Sequence, residues 1–315
     1  IDATGLARIF NITADNVIIK NITFINSKGT SDNAAIHWSN AQGSVSDCIF
    51  INNVATLGGA IFGEHSDCNI SGCVFTRNSA SFGGAIHWAS GQCDISDCIF
   101  KENAVHAWGD SSAGGALFLV RGCTVSDCIF VSNSANRQSG AAIYWNNNNC
   151  VVTNCYFVKN SGGTVITSYN SENMAVNYNV FLDNDGDAIS FSLEDSTMNN
   201  DYNWYGHTAD NYNNKPLLKK CNNWLFLNAT ADYSSLSFME SSNVTFKLYS
   251  TDGTNVSDFD NSKLPVVNLT LTATNGDVEN TTTLDNIVKY MATEKGKGSV
   301  TAKIENAVYL EKLSI

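Results

Sequence analysis

The chain has 315 residues, of which 43% are hydrophobic, with 18 Lys and Arg against 30 Asp and Glu for a formal charge of −12. It is long enough to bury a sizeable core, as one elongated domain or two compact ones, and its acidity argues against nucleic acid or an anionic membrane surface as partner. No stretch reaches the roughly 20 apolar residues of a membrane-spanning helix, and Asn, Ser, Thr, Gly, Val and Ile outweigh the helix formers, which predicts an all-β protein.

The opening "IDATGLARIF" starts in strand-like sequence with no signal peptide before it, and reads as part of a mature exported chain. Eight N-x-[ST] sequons, at Asn11, Asn21, Asn69, Asn228, Asn243, Asn255, Asn268 and Asn280, fit an exported glycoprotein.

From Phe24 onward two phrases alternate. Phe-x-x-Asn recurs at Phe50/Asn53, Phe75/Asn78, Phe100/Asn103, Phe130/Asn133, Phe157/Asn160 and Phe181/Asn184, with Phe24 a degenerate first copy. Between these lie "NAAI" at 33, "GGAI" at 58 and 83, "GGAL" at 114, "GAAI" at 140, "GGTV" at 162 and "GDAI" at 186. Successive phenylalanines are 26, 25, 25, 30, 27 and 24 residues apart. A period of that length built from short β runs predicts one solenoid coil per repeat.

Cysteines recur inside the coil, as in "CDISDCIF" at 93 and "CTVSDCIF" at 123. Stacked coils would place Cys48, Cys73, Cys98, Cys128 and Cys155 in one inward column and Cys68, Cys93, Cys123 and Cys150 in a second, as small buried hydrophobes. Disulfides within each i, i+5 pair are the competing reading. The spacing does not fit a zinc knuckle, and no histidine recurs beside the columns to activate a thiol. Cys221 stands outside the repeat. The repeated Asn is expected to hydrogen-bond to its copies and to the backbone at a bend.

The residues after each Gly-Gly phrase are His37-Trp38, Phe62-Gly63, His87-Trp88, Phe118-Leu119, Tyr144-Trp145, Ile166-Thr167 and Ser190-Phe191. Strand alternation sends one of these rows inward and the other outward. Either His37, Phe62, His87, Phe118 and Tyr144 form an outward aromatic stripe, or Trp38, Trp88 and Trp145 do. Such a stripe could bind sugar rings or an apolar partner surface; packing beneath a neighbouring loop is the alternative. The longest coil carries an excursion, "AVHAWGDSSA" at 104 to 113, which adds His106, Trp108 and Asp110 as candidate recognition residues.

Tyr202, Trp204 and Tyr205 follow the last coil and are expected to cap its open layer. Beyond Asn222 the runs "WLFLNATA", "NVTFKLYS", "PVVNLTLTA", "TTTL", "NIVKYMAT", "GSVTAKIE" and "AVYLEKLSI" read as seven strands of an immunoglobulin-like β-sandwich.

The paired "GGAI" and "FxxN" phrases resemble the repeats of chlamydial polymorphic outer membrane proteins. The opening "IDATGLARIFNITADNVIIKNITFIN" and the coil-ending "DYNWYGHTADNYNN" are similar to the large adhesin-like surface proteins of methanogenic archaea. The resemblance covers residues 1 to about 215. It implies a right-handed parallel β-helix followed by immunoglobulin-like modules, an anaerobic owner with reduced cysteines, and a role in attachment to other cells.

A polysaccharide lyase or glycoside hydrolase is the alternative from a different class, because β-helices also carry such enzymes. It would need paired carboxylates or a calcium site with a cationic base. Asp47, Asp97 and Asp127 are the nearest candidates, but Gly72 and Asn154 occupy the same bend elsewhere, which favours a structural role. A stalk with no ligand of its own is a further alternative. The expectation is therefore an all-β chain: a right-handed parallel β-helix over 1–219, then an immunoglobulin-like β-sandwich over 220–315. It would be a non-enzymatic extracellular, cell-surface adhesin fragment, monomeric and without cofactor or metal. Its partners would be surface glycans or proteins of neighbouring microbial or host cells, and the fragment would not insert into a membrane.

Overall fold

In the computed structural model the repeat phrases become coils. The structure describes residues 1–6, 8–29, 34–105, 112–135, 139–147, 149–170, 172–191, 198–214, 216 and 221–304, and the backbone of 310–314. The chain divides into two units, Ile1–Asn200 and Asp201–Ile315.

The first unit is a parallel β-solenoid of about eight turns, in which each coil contributes a strand to three successive sheets. The coil around Cys98 is representative, with strands Ile86–Trp88, Cys93–Ser96 and Ile99–Lys101. Among the described residues the first sheet has eight strands, the second seven, and the third seven within this unit, each pairing in parallel with its counterpart one coil away. Register aligns the repeats, so Phe24 faces Phe50 and Phe75 faces Phe100. One coil departs from the sequence alignment. Ile166 pairs with Ile143 and Thr167 with Tyr144, so the "GGTV" phrase sits one residue earlier than expected, and Thr167, not Ile166, takes the position of Tyr144.

Two bends per coil are reached through left-handed backbone. Asp47, Gly72, Asp97, Asp127 and Asn154 have φ between 51° and 62° at the first, and Asn52, Arg77, Glu102, Ser132 and Lys159 between 54° and 56° at the second. Asp, Asn and Gly tolerate this conformation best, which accounts for the alternation at the first bend without chemistry. A third bend uses the Gly-Gly phrase. Gly83 has φ +63°, and a side chain on Gly84 would meet the Gly115 carbonyl at 2.1 Å, so neither position admits another residue without a backbone shift.

The interior is built from columns of like residues. Phe24, Phe50, Phe75, Phe100, Phe130, Phe157 and Phe181 stack at centroid distances of 4.7 to 4.9 Å with interplanar angles of 3° to 11°. Burying each ring contributes about 1.5–3 kcal/mol, and each aromatic pair adds roughly 0.5–1.5. Beside them runs an amide ladder. Asn103 Nδ2 donates to Phe75 O at 2.9 Å and to Asn133 Oδ1 at 3.0 Å, while Asn103 Oδ1 accepts from the Asn78 backbone N–H and Nδ2, both at 3.0 Å. The same pattern repeats at Asn53, Asn78, Asn133 and Asn160.

All ten cysteines are buried free thiols, so the disulfide alternative does not apply. The Cys48, Cys73, Cys98 and Cys128 column also completes hydrogen bonds at the first bend. Cys73 Sγ accepts from the Cys48 amide at 3.4 Å and donates to Ser71 O at 3.2 Å, and Cys98 repeats this with Cys73 and Ser96. Where the column ends, Asn179 takes the thiol's place, accepting from the Cys155 amide at 2.9 Å and donating to Asn177 O.

In the second unit all seven expected strand runs are found, as Trp224–Ala231, Ser241–Thr251, Asn268–Thr274, Thr281–Thr283, Ile287–Ala292, Ser299–Ile304 and Leu310–Ser314, with short Val256–Asp258 and Gly276–Asp277 added. The runs Trp224–Ala231, Ser241–Thr251 and Ile287–Ala292 pair antiparallel in one sheet, and Thr281–Thr283, Asn268–Thr274, Ser299–Ile304 and Leu310–Ser314 in another. Asn203–Thr208 pairs in parallel with Trp224–Ala231. Trp204 is buried, with Nε1 donating to His207 O at 2.9 Å, and Tyr202 stacks on Phe259. Among the described residues no helix is long and apolar enough to cross a membrane, which leaves β-barrel spans unaddressed.

Two outcomes are expected. Asn103→Ala orphans several buried polar groups, each costing about 1–3 kcal/mol, so urea titration followed by far-UV circular dichroism should show at least about 3 kcal/mol of lost stability; a loss below about 1 kcal/mol would contradict the ladder's role. Burial raises the Cys68 and Cys123 thiols to about 12. Native protein at pH 8 should therefore resist iodoacetamide, and all ten cysteines should label after denaturation without reductant, as read by intact mass.

Candidate functional site

The outward face of the first sheet decides between the two aromatic rows. Ile36, Ile61, Ile86, Leu117 and Ile143 are fully buried, and so, two residues on, are Trp38, Trp88 and Trp145. The structure therefore removes these three tryptophans from the candidate surface. Glycines explain how the interior holds them: a side chain at Gly63 would meet the Trp88 ring at 2.2 Å, and one at Gly43 the Trp38 ring at 2.5 Å. Trp38 Nε1 donates to Ala41 O at 3.1 Å and Trp88 Nε1 to Ser66 O at 3.2 Å, so these two indoles are also satisfied inside, whereas the buried Trp145 Nε1 has no hydrogen-bond partner among the described residues.

The outward row is His37, Phe62, His87, Phe118 and Tyr144, one ring per coil in register. Successive centroids lie 5.0, 5.4, 4.8 and 5.0 Å apart. The row is not uniformly open to solvent. Phe62 and His87 are buried, whereas His37, Phe118 and Tyr144 are half-buried. Phe82, just before the second "GGAI", lies edge-on to Phe118 at 5.3 Å and 6.3 Å from His87, and so helps to cover the middle of the row.

The ends differ in chemistry. At one end His37 Nε2 lies 3.0 Å from Glu64 Oε1, which also accepts from Ser39 Oγ at 3.2 Å. At the other, Tyr144 is followed by Thr167, and Tyr169, 48% exposed, opens a second outward position opposite Asn146. Burial, and then the nearby Tyr169, raises the Tyr144 phenol, which stays neutral and able to donate a hydrogen bond. Phe82 and Tyr169 were not singled out from sequence. Tyr169 carries a usable signal, since it stands two residues beyond Thr167 and alternation makes it outward. His106, Trp108 and Asp110 lie outside the described residues.

Two of the bend carboxylates have local partners. Asp47 bonds Lys20 at 3.4 Å, and Asp127 accepts a hydrogen bond from Asn154. Among the described residues no group of three or more His, Cys, Asp and Glu could hold a metal ion.

Residues 47–64 match the family model of the Chlamydia polymorphic membrane protein repeat. The matched segment holds the bend residue Asp47, Cys48, Phe50, the ladder residue Asn53, the Gly58-Gly59 bend and Phe62, so it spans the residues that build a coil here. Searches of curated proteins and of solved structures returned no match.

The row also generates a pH dependence. Burial lowers His87 to about 4 from the usual 6.5, and its Nδ1 has no hydrogen-bond partner. Because the folded value is depressed, the unfolded chain binds more protons below 6.5, and stability present above that pH is lost as pH falls toward 4. Between pH 7 and 4.5 this group alone should remove about 2–3 kcal/mol. His87→Phe, a ring already accepted in the coils on either side, should lose that much less in urea titrations at the two pH values. An equal loss in both proteins would place the acid sensitivity elsewhere.

Proposed function

We propose that the chain is part of a cell-surface adhesin, in which the solenoid presents the outward aromatic row to glycans or proteins of other cells and acts by binding, not catalysis. The observation that carries this reading is the aromatic row itself. Closing a coil requires inward columns but makes no demand for rings outside, and a row of rings at coil spacing offers repeated stacking surfaces to an extended ligand. The match to a chlamydial polymorphic membrane protein repeat, together with the β-solenoid, suits a surface-exposed or outer-membrane protein of the autotransporter or adhesin-like kind. In this reading the solenoid is right-handed and the second unit an immunoglobulin-like spacer. The opening and coil-ending phrases similar to methanogen surface proteins favour an archaeal owner.

In this reading the contact region is Phe118, Tyr144 and Tyr169, the half-buried and exposed rings at one end of the row, and affinity at one such site should be weak, with attachment arising from many copies on a cell. Substituting Tyr144→Ala and Tyr169→Ala together should weaken binding to whichever array glycans the wild-type chain retains by at least tenfold, about 1.4 kcal/mol. The far-UV spectrum should not change. Retention at wild-type affinity would remove this face from the function.

A further inference from the structure

The C-terminal unit carries a second candidate surface, and its chemistry differs from that of the solenoid. The loop between Trp224–Ala231 and Ser241–Thr251 holds Tyr233, Phe238 and Met239, which are 62%, 68% and 57% exposed. Three large apolar side chains left outside within seven residues form the kind of patch that marks an interaction site. Backbone bonds fix this loop. Met239 N–H donates to Ala292 O at 2.8 Å, Ala292 N–H to Glu240 O at 3.0 Å, and Ser237 N–H to Glu240 Oε2 at 2.7 Å. They hold Met239 at φ +66°, a conformation that costs a residue of this type of order 1 kcal/mol. The loop is thus a strained, tied structure whose outcome is to keep Phe238 and Met239 in water.

Facing it is the turn from Glu294 to Gly298. Asn275 O accepts from the amides of Thr293 and Glu294, and Asn275 Nδ2 donates to Lys297 O at 3.0 Å. Gly296 has φ +133°, and a side chain there would meet Asn275 Nδ2 at 2.9 Å. Between loop and turn lies a cleft of about 380 Å³ with Tyr290 among its lining residues, Ser235 and Ser237 from the loop, and Lys295, Lys297 and Glu294 from the turn. That volume is within the roughly 300–1,000 Å³ of small-ligand sites. Two lysines against one glutamate among the lining residues give the cleft a net positive formal charge in a chain of net charge −12.

We propose that this cleft binds a uronic-acid unit of an acidic polysaccharide. Lys295 and Lys297 meet the sugar carboxylate, the serine hydroxyls and Glu294 meet its hydroxyls, and the Phe238 ring takes its apolar face. The cations select an acidic sugar over a neutral one, and a polar-walled cleft suits a polyhydroxylated ring better than a lipid surface would require. The assignment rests on the C-terminal unit alone and stands or falls separately from the solenoid reading.

The test uses the full chain, isotope-labelled, with oligogalacturonate as probe and a neutral galactan oligomer of equal length as comparison. Oligogalacturonate should shift amide resonances of residues 234–238 and 294–298. Its binding should weaken at least tenfold in Lys295→Ala/Lys297→Ala and in Phe238→Ser, and should weaken as salt rises from 0.05 to 0.5 M. The Tyr144→Ala/Tyr169→Ala protein should bind it unchanged. No shifts, equal binding of the neutral oligomer, or unaltered binding by the lysine variant would each overturn the proposal. So would binding to phosphatidylserine vesicles without any response to oligogalacturonate, which would assign the loop to a lipid surface.

Discussion

Most residues in the solenoid interior must tolerate a like residue one coil away, at a distance set by parallel strand pairing and seen directly in phenylalanine centroids 4.7 to 4.9 Å apart. Few side chains meet that condition well. Flat rings do, because an offset stack repeats without limit. Amides do, because each carries both donor and acceptor and can address the coils above and below at once. Branched aliphatics do by packing alone, as the Ile36, Ile61 and Ile86 column shows. An interior lysine or carboxylate would face its own charge in every coil, and none is found among the described buried residues.

The same condition explains the cysteines more fully than size does. At the first bend one amide per coil points inward and needs an acceptor, and one carbonyl needs a donor. A thiol supplies both weakly, through bonds of 3.2 to 3.4 Å at Cys73. That Asn179 performs both tasks at 2.9 Å where the thiol column stops shows that the position asks for a small donor and acceptor. The hydrogen bond to the neighbouring thiol, and then burial, raises Cys48 and Cys98, and only the protonated thiol can donate to the carbonyl.

These columns were legible in sequence because they repeat: Phe-x-x-Asn, the Cys pairs and the Gly-Gly phrase each return once per coil, and stacking follows from period alone. What was not legible depends on contacts between unlike residues. The inward course of Trp88 rests on Gly63 one coil away, so nothing within "IHW" itself decides it. The one-residue shift at "GGTV" appears only through the pairing of Ile166 with Ile143. Phe82 belongs to no repeated phrase, yet it helps to close the middle of the outward row over His87, converting what alternation predicts as an open stripe into one covered at its middle. In the second unit strand existence was readable from alternation, whereas the strained Met239 loop and its facing turn were not, because their geometry comes from hydrogen bonds to Ala292 and Asn275.

The three outward faces of the solenoid are chemically distinct, and the difference bears on where binding can occur. The second sheet shows Ser46, Ser71, Ser96, Ser126 and Thr153 in one row, a run of hydroxyls that water solvates readily. The third shows Ile49, Val74, Ile99, Ile129 and Tyr156, mostly aliphatic and individually about a third exposed where they are most open. Among the described residues, only the outward face of the first sheet carries rings in successive coils. Aliphatic rows gain from contact with any apolar surface and so discriminate poorly, while rings impose a face, an edge and a spacing on what they meet. A ligand that repeats along its own length can satisfy such a row several times over, and one that does not gains a single contact. The Phe118, Tyr144 and Tyr169 end adds a phenol held neutral by burial beside an exposed one, so it can fix orientation as well as contact area. In the adhesin reading proposed above, discrimination by spacing and orientation separates a recognition face from a merely apolar one, and the first sheet is the outward face that offers both.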